Sequence, residues 1–330
     1  MLITFLGTGS GAPSRARNVS ATALHLPERG EMFLIDCGEG TQHQVLRAAH
    51  VRLSQLTRVF ITHLHGDHVF GLVGLLASRS LAQGGTSPVT LYGPAALEAY
   101  VRGVLATTGT QLGYPVHFHA ARPGLIYEDG QVIVRCAPVR HRCEAYAYAV
   151  EEKPQAGRFD VERARALGIP EGPIYGRLKA GETVTLPDDG RVIDGNSLVG
   201  PPRPGRKVAF SGDTLFTPEM VELARGADLL VHESTYSEAD RPLADRAAHS
   251  TSAGAAQVAR RAGVQRLVLT HFSPRYDAEP GGIDGLLDEA RAVFLNTDLA
   301  HDFLRVEVPR RAATPTGDES PVAEASLAAG

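Results

Sequence analysis

The chain has 330 residues, 43% of them hydrophobic, and a formal net charge of −4. That length can bury a sizeable core in one large domain or two smaller ones. The charge excludes a broadly basic nucleic-acid coat but not a local phosphate-binding cluster. No apolar run is long enough to predict a membrane span. Met1-Leu-Ile-Thr-Phe-Leu6 lacks a basic start and stops at Gly7, so it reads as a strand and not a signal peptide. The cysteines Cys37, Cys136 and Cys143 are an odd, scattered set. They give no disulfide framework, and a reducing cytoplasm is the expected compartment.

Taken in order, residues 2–6, 20–26 and 31–36 read as strands, the first two flanking a Gly-rich turn, the third ending on Asp36. A helix is predicted from Gly40 to Val51. Arg58-Val-Phe-Ile61 reads as a buried strand running into Thr62-His63-Leu64-His65-Gly66-Asp67-His68. Apolar residues at helical spacing start a helix near Asp67, continuing from Leu72 to Gln83. A strand is expected at 88–94, a helix at 95–105, and several strands across 115–150 around His141. The pattern restarts with a strand over 207–213 ending at Asp213. Thr217-Pro218 opens a helix to Arg225. A strand at 228–234 carries His232 and Glu233, both placed as orienting residues. A helix at 251–262 follows His249, a strand ends at His271, a helix covers 283–292 and a strand 303–308. Residues 310–330 lack periodicity and read as a disordered tail.

The His63–His68 stretch has the strongest chemical signal. His63 and His65, two apart near a strand end, can face the same way. Asp67 and His68 at the helix start point to a neighbouring spot, which suits two adjacent metal ions. Imidazole and carboxylate are the usual ligands of zinc, with manganese or iron possible. Asp36, His141, Asp213 and His271 each stand at the carboxyl end of another predicted strand, where ligands collect in α/β sheets. Strands interspersed with helices predict an α/β fold of two β-layers flanked by helices.

These elements, in this order, resemble the metallo-β-lactamase superfamily and its αββα sandwich. Four stretches carry a more specific resemblance, to ribonuclease Z, the tRNA 3′-processing endonuclease. They are Phe5-Leu-Gly-Thr-Gly-Ser10 with Pro13-Ser14 and Arg17-Asn18; Asp36-Cys-Gly-Glu-Gly-Thr-Gln42; Gly172-Pro-Ile-Tyr-Gly176-Arg-Leu-Lys179-Ala-Gly181; and His249-Ser-Thr251. The match spans residues 1 to about 309, the expected catalytic domain. Departures at Ala147 and at Arg246-Ala-Ala before His249 miss every ligand position.

The resemblance implies two Zn2+ per subunit, with Mn2+ or another divalent metal possible. His63, His65 and His141 would hold one metal, and Asp67, His68 and His271 the other, with Asp213 bridging. Asp36 would orient a ligand histidine. Asp67 would also accept the proton of the attacking water, and His249 would supply one to the leaving ribose oxygen. Residues 151–206 are rich in Pro and Gly, with nine basic and nine acidic side chains. Lacking a long apolar run, they are expected to form no full core alone. The resemblance makes them a flexible inserted arm that grips tRNA away from the active site, through Gly172, Pro173, Gly176 and Lys179. The expected partners are precursor tRNA and a second copy in a homodimer, with no membrane and no DNA. Two rivals are another dinuclear hydrolase of this fold, such as an arylsulfatase or phosphodiesterase, and a catalytically idle RNA-binding protein.

Overall fold

The computed structural model describes residues 1–82, 86–278 and 282–311. Part of the expected tail, residues 312–330, lies outside them. The strands in chain order are β1 (Leu2–Gly7), β2 (Ala21–Leu26), β3 (Glu31–Ile35), β4 (Leu56–Phe60), β5 (Val89–Gly93), β6 (Val116–Ala120), β7 (Gly124–Glu128) and β8 (Val132–Pro138). There follow β9 (Tyr146–Glu152), β10 (Thr183–Thr185), β11 (Val192–Asp194), β12 (Lys207–Phe210), β13 (Leu229–Glu233), β14 (Leu267–Thr270), β15 (Thr297–Leu299) and β16 (Arg305–Glu307). The helices are α1 (Thr41–Arg47), α2 (Gly66–Val69), α3 (Leu72–Leu81), α4 (Leu97–Thr108), α5 (Val161–Ala166) and α6 (Pro173–Lys179). The remainder are α7 (Pro218–Ala224), α8 (Arg241–Ala247), α9 (Ser252–Ala262), α10 (Arg275–Ala278) and α11 (Gly282–Arg291).

Two seven-stranded sheets form the main unit, in the orders β16-β1-β2-β3-β4-β5-β6 and β15-β14-β13-β12-β9-β8-β7. Their facing sides share one core, with Phe5, Phe33 and Phe60 from the first sheet and Tyr148, Phe210 and Val268 from the second. The outer face of the first sheet packs on α1, α3 and α4 through Leu34, Val59, Leu72 and Val101. The outer face of the second packs on α7, α9 and α11 through Ala209, Leu230, Val258 and Leu286. Strands covered on both faces are buried throughout, and β2 is buried at all six positions, Thr22 and His25 included. The layers are the αββα sandwich expected from the sequence.

Some elements depart from expectation. Helix α1 stops at Arg47, because Ala48 leaves the helical region at φ −93, ψ 82. Helix α8 forms where none is expected, and its Pro lies in the first turn, where a missing N–H costs nothing. Strand β15 has three residues, too few for a periodic signal.

Lys153–Gly205 forms a second compact unit. It holds α5, α6 and the β10–β11 hairpin. Asp160 caps α5 by accepting from the Arg163 N–H at 2.9 Å, and Pro173 opens α6. The expectation of no core here is corrected. Ala164, Ile169, Leu178, Val184, Leu186 and Leu198 are buried together, with Phe159 and Tyr175 packed against them. The apolar residues are scattered over helix, turn and hairpin, so no single run displays them.

Candidate active site

The site lies at the carboxyl ends of β3, β4, β8, β12 and β14, whose next residues include Asp36, His63, His141, Asp213 and His271. Strands β3 and β4 are parallel, as are β12, β13 and β14. Strand β8 pairs antiparallel to β9, which is antiparallel to β12, so β8 runs with β12. The β4–α2 turn is held by backbone approach. A Cβ on Gly38 would stand 2.2 Å from the Asp67 carbonyl oxygen, and one on Gly71 would stand 2.0 Å from that of Gly38. Only glycine allows those contacts.

The ligand atoms of His63, His65, His141 and Cys143 fall within 4.8 Å of one another, as do those of Asp67, His68, Asp213 and His271. Asp213 joins the two groups. Its Oδ2 is 3.6 Å from His63 Nε2, 3.4 Å from His68 Nε2 and 4.0 Å from His141 Nε2. Its Oδ1 is 3.3 Å from His271 Nε2. Asp67 Oδ2 is 3.4 Å from His271 Nε2 and accepts the Gly11 N–H at 2.7 Å.

The outer contacts fix which nitrogen faces inward. Asp36 accepts the Thr62 N–H at 2.7 Å, the Thr62 hydroxyl at 2.9 Å and the His68 Nδ1–H at 2.8 Å. With its hydroxyl proton committed to Asp36, Thr62 accepts from His63 Nδ1 at 3.0 Å. The Thr235 hydroxyl likewise donates to Glu233 at 2.6 Å and accepts from His271 Nδ1 at 2.9 Å. His141 Nδ1 donates to the Ala248 carbonyl at 2.8 Å. These outer contacts at Nδ1 leave the Nε2 atoms of His63, His68, His141 and His271 facing the centre.

Those inward nitrogens test whether metal fits. His68 Nε2 and His271 Nε2 stand 3.2 Å apart, and His141 Nε2 and His65 Nδ1 stand 3.1 Å apart. Buried His63 Nε2 and Asp213 Oδ1 have no hydrogen-bond partner among the described residues. A cation at each of these points would satisfy these atoms, and imidazole with carboxylate is a donor set that zinc takes. Burial, then the charge of neighbouring His68, push the His63 pKa down to about 2. Burial alone would raise the Asp213 pKa, but His271, His68 and His63 outweigh it and hold the carboxyl well below its usual range.

His249 stands beside both groups. Its Nδ1 is 3.0 Å from Glu233 Oε1 and 3.8 Å from Asp213 Oδ2. Burial opposes its charged form, yet Glu233 outweighs burial and its pKa rises to about 9. Glu233 also accepts the Thr214 N–H at 2.8 Å and the Thr235 N–H at 3.2 Å. The sequence placed Glu233 only as an orienting residue of unspecified target; its partner is His249. Within the second unit, Gly172 precedes α6 at φ 147, and Pro173, Gly176 and Lys179 lie on α6. Gly176 and Lys179 line a groove of ≈ 620 Å³ with Arg158, Tyr175 and Arg203.

The family model of the anti-Pycsar protein Apyc1 matches residues 1–142, and that of the β-lactamase superfamily domain matches residues 196–272. The chain is 57% identical to "Ribonuclease Z" of Parasynechococcus marenigrum (strain WH8102), covering 93% of this chain and 98% of that protein. It is 57% identical to "Ribonuclease Z" of Trichodesmium erythraeum (strain IMS101), covering 94% and 96%. The crystal structure of human tRNase Z, short form, superposes with a TM-score of 0.67 at 28% identity, covering 94% of this chain and 100% of that one. A long-form RNase Z from yeast shares the fold, with a TM-score of 0.63 at 18% identity, covering 93% of this chain and 42% of that one. Identity of this extent, over nearly the whole chain, shows that it belongs to the ribonuclease Z family of the metallo-β-lactamase superfamily, the tRNA 3′-processing endonucleases.

Proposed function

We propose that the protein removes the 3′ trailer of precursor tRNA with two Zn2+ per subunit, leaving a 3′-hydroxyl on the tRNA and a 5′-phosphate on the trailer. The observation that carries this reading is the pair of histidine groups joined through Asp213. His63, His65 and His141 would hold one ion, and Asp67, His68 and His271 the other, with Asp213 shared. Two such ions supply Lewis-acid polarisation of a phosphodiester and a nucleophilic water at neutral pH.

The chain's own residues do the rest. Asp36 orients His68, and Thr235 orients His271. Asp67, a ligand first, accepts the proton of the attacking water. His249, charged beside Glu233, gives a proton to the ribose 3′-oxygen as the P–O bond breaks. The Lys153–Gly205 unit binds tRNA; the groove beside Gly176 and Lys179, with Arg158 and Arg203 on its walls, supports this. Homodimerisation in the cytoplasm completes the reading. Exposed Leu46 on α1 and Phe70 between α2 and α3 support the dimer. No helix among the described residues is long and apolar enough to cross a membrane.

The test incubates zinc-reconstituted protein with one precursor tRNA and maps both product ends. A mature 3′-hydroxyl and a 5′-phosphorylated trailer, both abolished by chelator, are expected. Metal analysis should approach two equivalents per chain, and a plateau at one would overturn the dinuclear reading. Light scattering that gave a 35.1 kDa monomer in active preparations would overturn the dimer.

A further inference from the structure

We propose that a cavity beside His249 seats the last nucleotide that the tRNA keeps, with its base stacked on Phe216 and its 5′ phosphate against Arg140. The inference rests on the processing reading above. The cavity measures ≈ 290 Å³, and Arg140, Phe216, Asp245 and His249 are on its wall. Small-molecule sites usually run to roughly 300–1,000 Å³, so this one admits a single nucleotide and not a helix.

The walls are pinned to one another through Thr214. Its hydroxyl oxygen accepts the Arg140 N–H at 3.1 Å, and its carbonyl accepts the Ser250 hydroxyl at 2.6 Å. The Leu215 N–H donates to the Arg140 carbonyl at 2.9 Å. The stretches that carry Arg140, Phe216 and His249 therefore hold one shape. His249 decides which nucleotide enters. Its Nδ1 stands 3.0 Å from Glu233, which leaves Nε2 for substrate. The oxygen that takes its proton belongs to the ribose of the retained nucleotide. That ribose lies against His249, and the rest of the nucleotide extends into the adjoining cavity.

The side chains on the wall match the parts of a nucleotide. Phe216 is 37% exposed, and the Arg261 guanidinium lies 4.8 Å from its ring centroid. Arg261 is not on the cavity wall, so it braces the ring and leaves a face for stacking. Unpaired RNA bases stack on such aromatic faces. The exposed Arg140 guanidinium has no hydrogen-bond or ionic partner among the described residues, so its charge is available to a phosphate. Asp245 is exposed too. A carboxylate repels a bare phosphate in that space but can accept from a base amino group, which favours a whole nucleotide.

The experiment uses full-length, zinc-loaded parent, Phe216→Ala and Phe216→Trp. Each is given three precursor tRNAs: one intact, one abasic at the last retained nucleotide, and one abasic at the first trailer nucleotide. Loss of one aromatic stack should lower kcat/KM of Phe216→Ala on the intact precursor by roughly 5- to 150-fold. Phe216→Trp should restore most of it. Removing the last retained base should cost the parent a similar factor and cost Phe216→Ala little more, because both changes remove the same contact. An equal loss from Phe216→Ala on intact and abasic precursor would overturn the stacking. Coupling to the first trailer base instead would overturn the placement. Arg140→Gln should raise KM and flatten the log–log salt dependence by about 0.7, and an unchanged slope would overturn the phosphate contact. A parent that left the intact precursor uncut would overturn the processing reading itself, whatever the variants did.

Discussion

Asp36 and His271 sit in the left-handed backbone region, at φ 58 and 61, where non-glycine residues are uncommon. For Asp36 the conformation is held by three accepted hydrogen bonds, from the Thr62 N–H, the Thr62 hydroxyl and His68. Asp36→Asn keeps the shape but removes the charge opposite His68. Isothermal titration should show metal affinity down roughly 10–100-fold, the usual loss when a ligand's outer partner is removed. An unchanged affinity would mean that Asp36 serves only the turn. Glu233 acts on a different step, through His249. General acids contribute roughly 10²–10⁴-fold, so His249→Ala should lower kcat on precursor tRNA within that range. Glu233→Gln should lower it less, with KM little changed, because the proton donor remains. Neither variant should much slow a nitrophenyl phosphodiester, whose leaving group departs without a proton. Equal losses on both substrates would show Glu233 to be a scaffold for the whole site and not a positioning residue for His249.

At the level of elements, β2 carries a built-in acid sensitivity. His25 is buried on this strand and faces Thr4 and His50. Burial, then His50 and Arg305, push its pKa down to about 4. A histidine depressed in the folded state gives full stability above its unfolded pKa and loses it as pH falls toward the folded value. In chelator-treated protein the urea midpoint should therefore fall between about pH 6.5 and about pH 4, and His25→Gln should flatten that fall. A parallel decline in both proteins would assign the acid sensitivity elsewhere. Other strands show why much of the fold could be read from the sequence. The apolar stretches of β3, β4, β12 and β14 give way, within three residues of each strand's end, to Asp36, His63, Asp213 and His271. The break from apolar to ligand-type residue is visible without coordinates. The Glu233–His249 pairing is not, because Glu233 ends its strand as a single carboxylate with no spacing pattern to tie it to a partner 16 residues away. The core of the inserted unit was hidden too, since Ile169 and Leu186 contribute to it from outside any helix or strand.

For the whole molecule, the division between two compact units predicts separable functions. The main unit, Met1–Glu152 with Arg206–Pro309, contains every ligand-type residue of the site. Lys153–Gly205 contains none of them and has its own buried cluster. Its first and last stretches are joined by a ladder. Gln155 and Arg203 exchange backbone hydrogen bonds at 3.0 and 2.9 Å, and the Gly200 N–H donates to Arg158 at 2.9 Å. Excision between Gly157 and Gly200 with a short Gly-Ser linker therefore removes the buried cluster and spans ends already held together. Remote binding energy that is equal in the ground and transition states appears in KM, whereas loss of a transition-state contact lowers kcat. The deleted protein should retain two equivalents of zinc and its turnover of a nitrophenyl phosphodiester, a substrate too short to need a remote grip. Its KM for precursor tRNA should rise strongly, with kcat at saturation less affected. Lys179→Ala on α6 should move KM in the same direction by a smaller factor, and the shift should shrink as salt is raised, because a phosphate contact is screened. If excision abolished both activities in a folded, zinc-replete protein, the inserted unit would be a support of the catalytic centre and not a grip on tRNA.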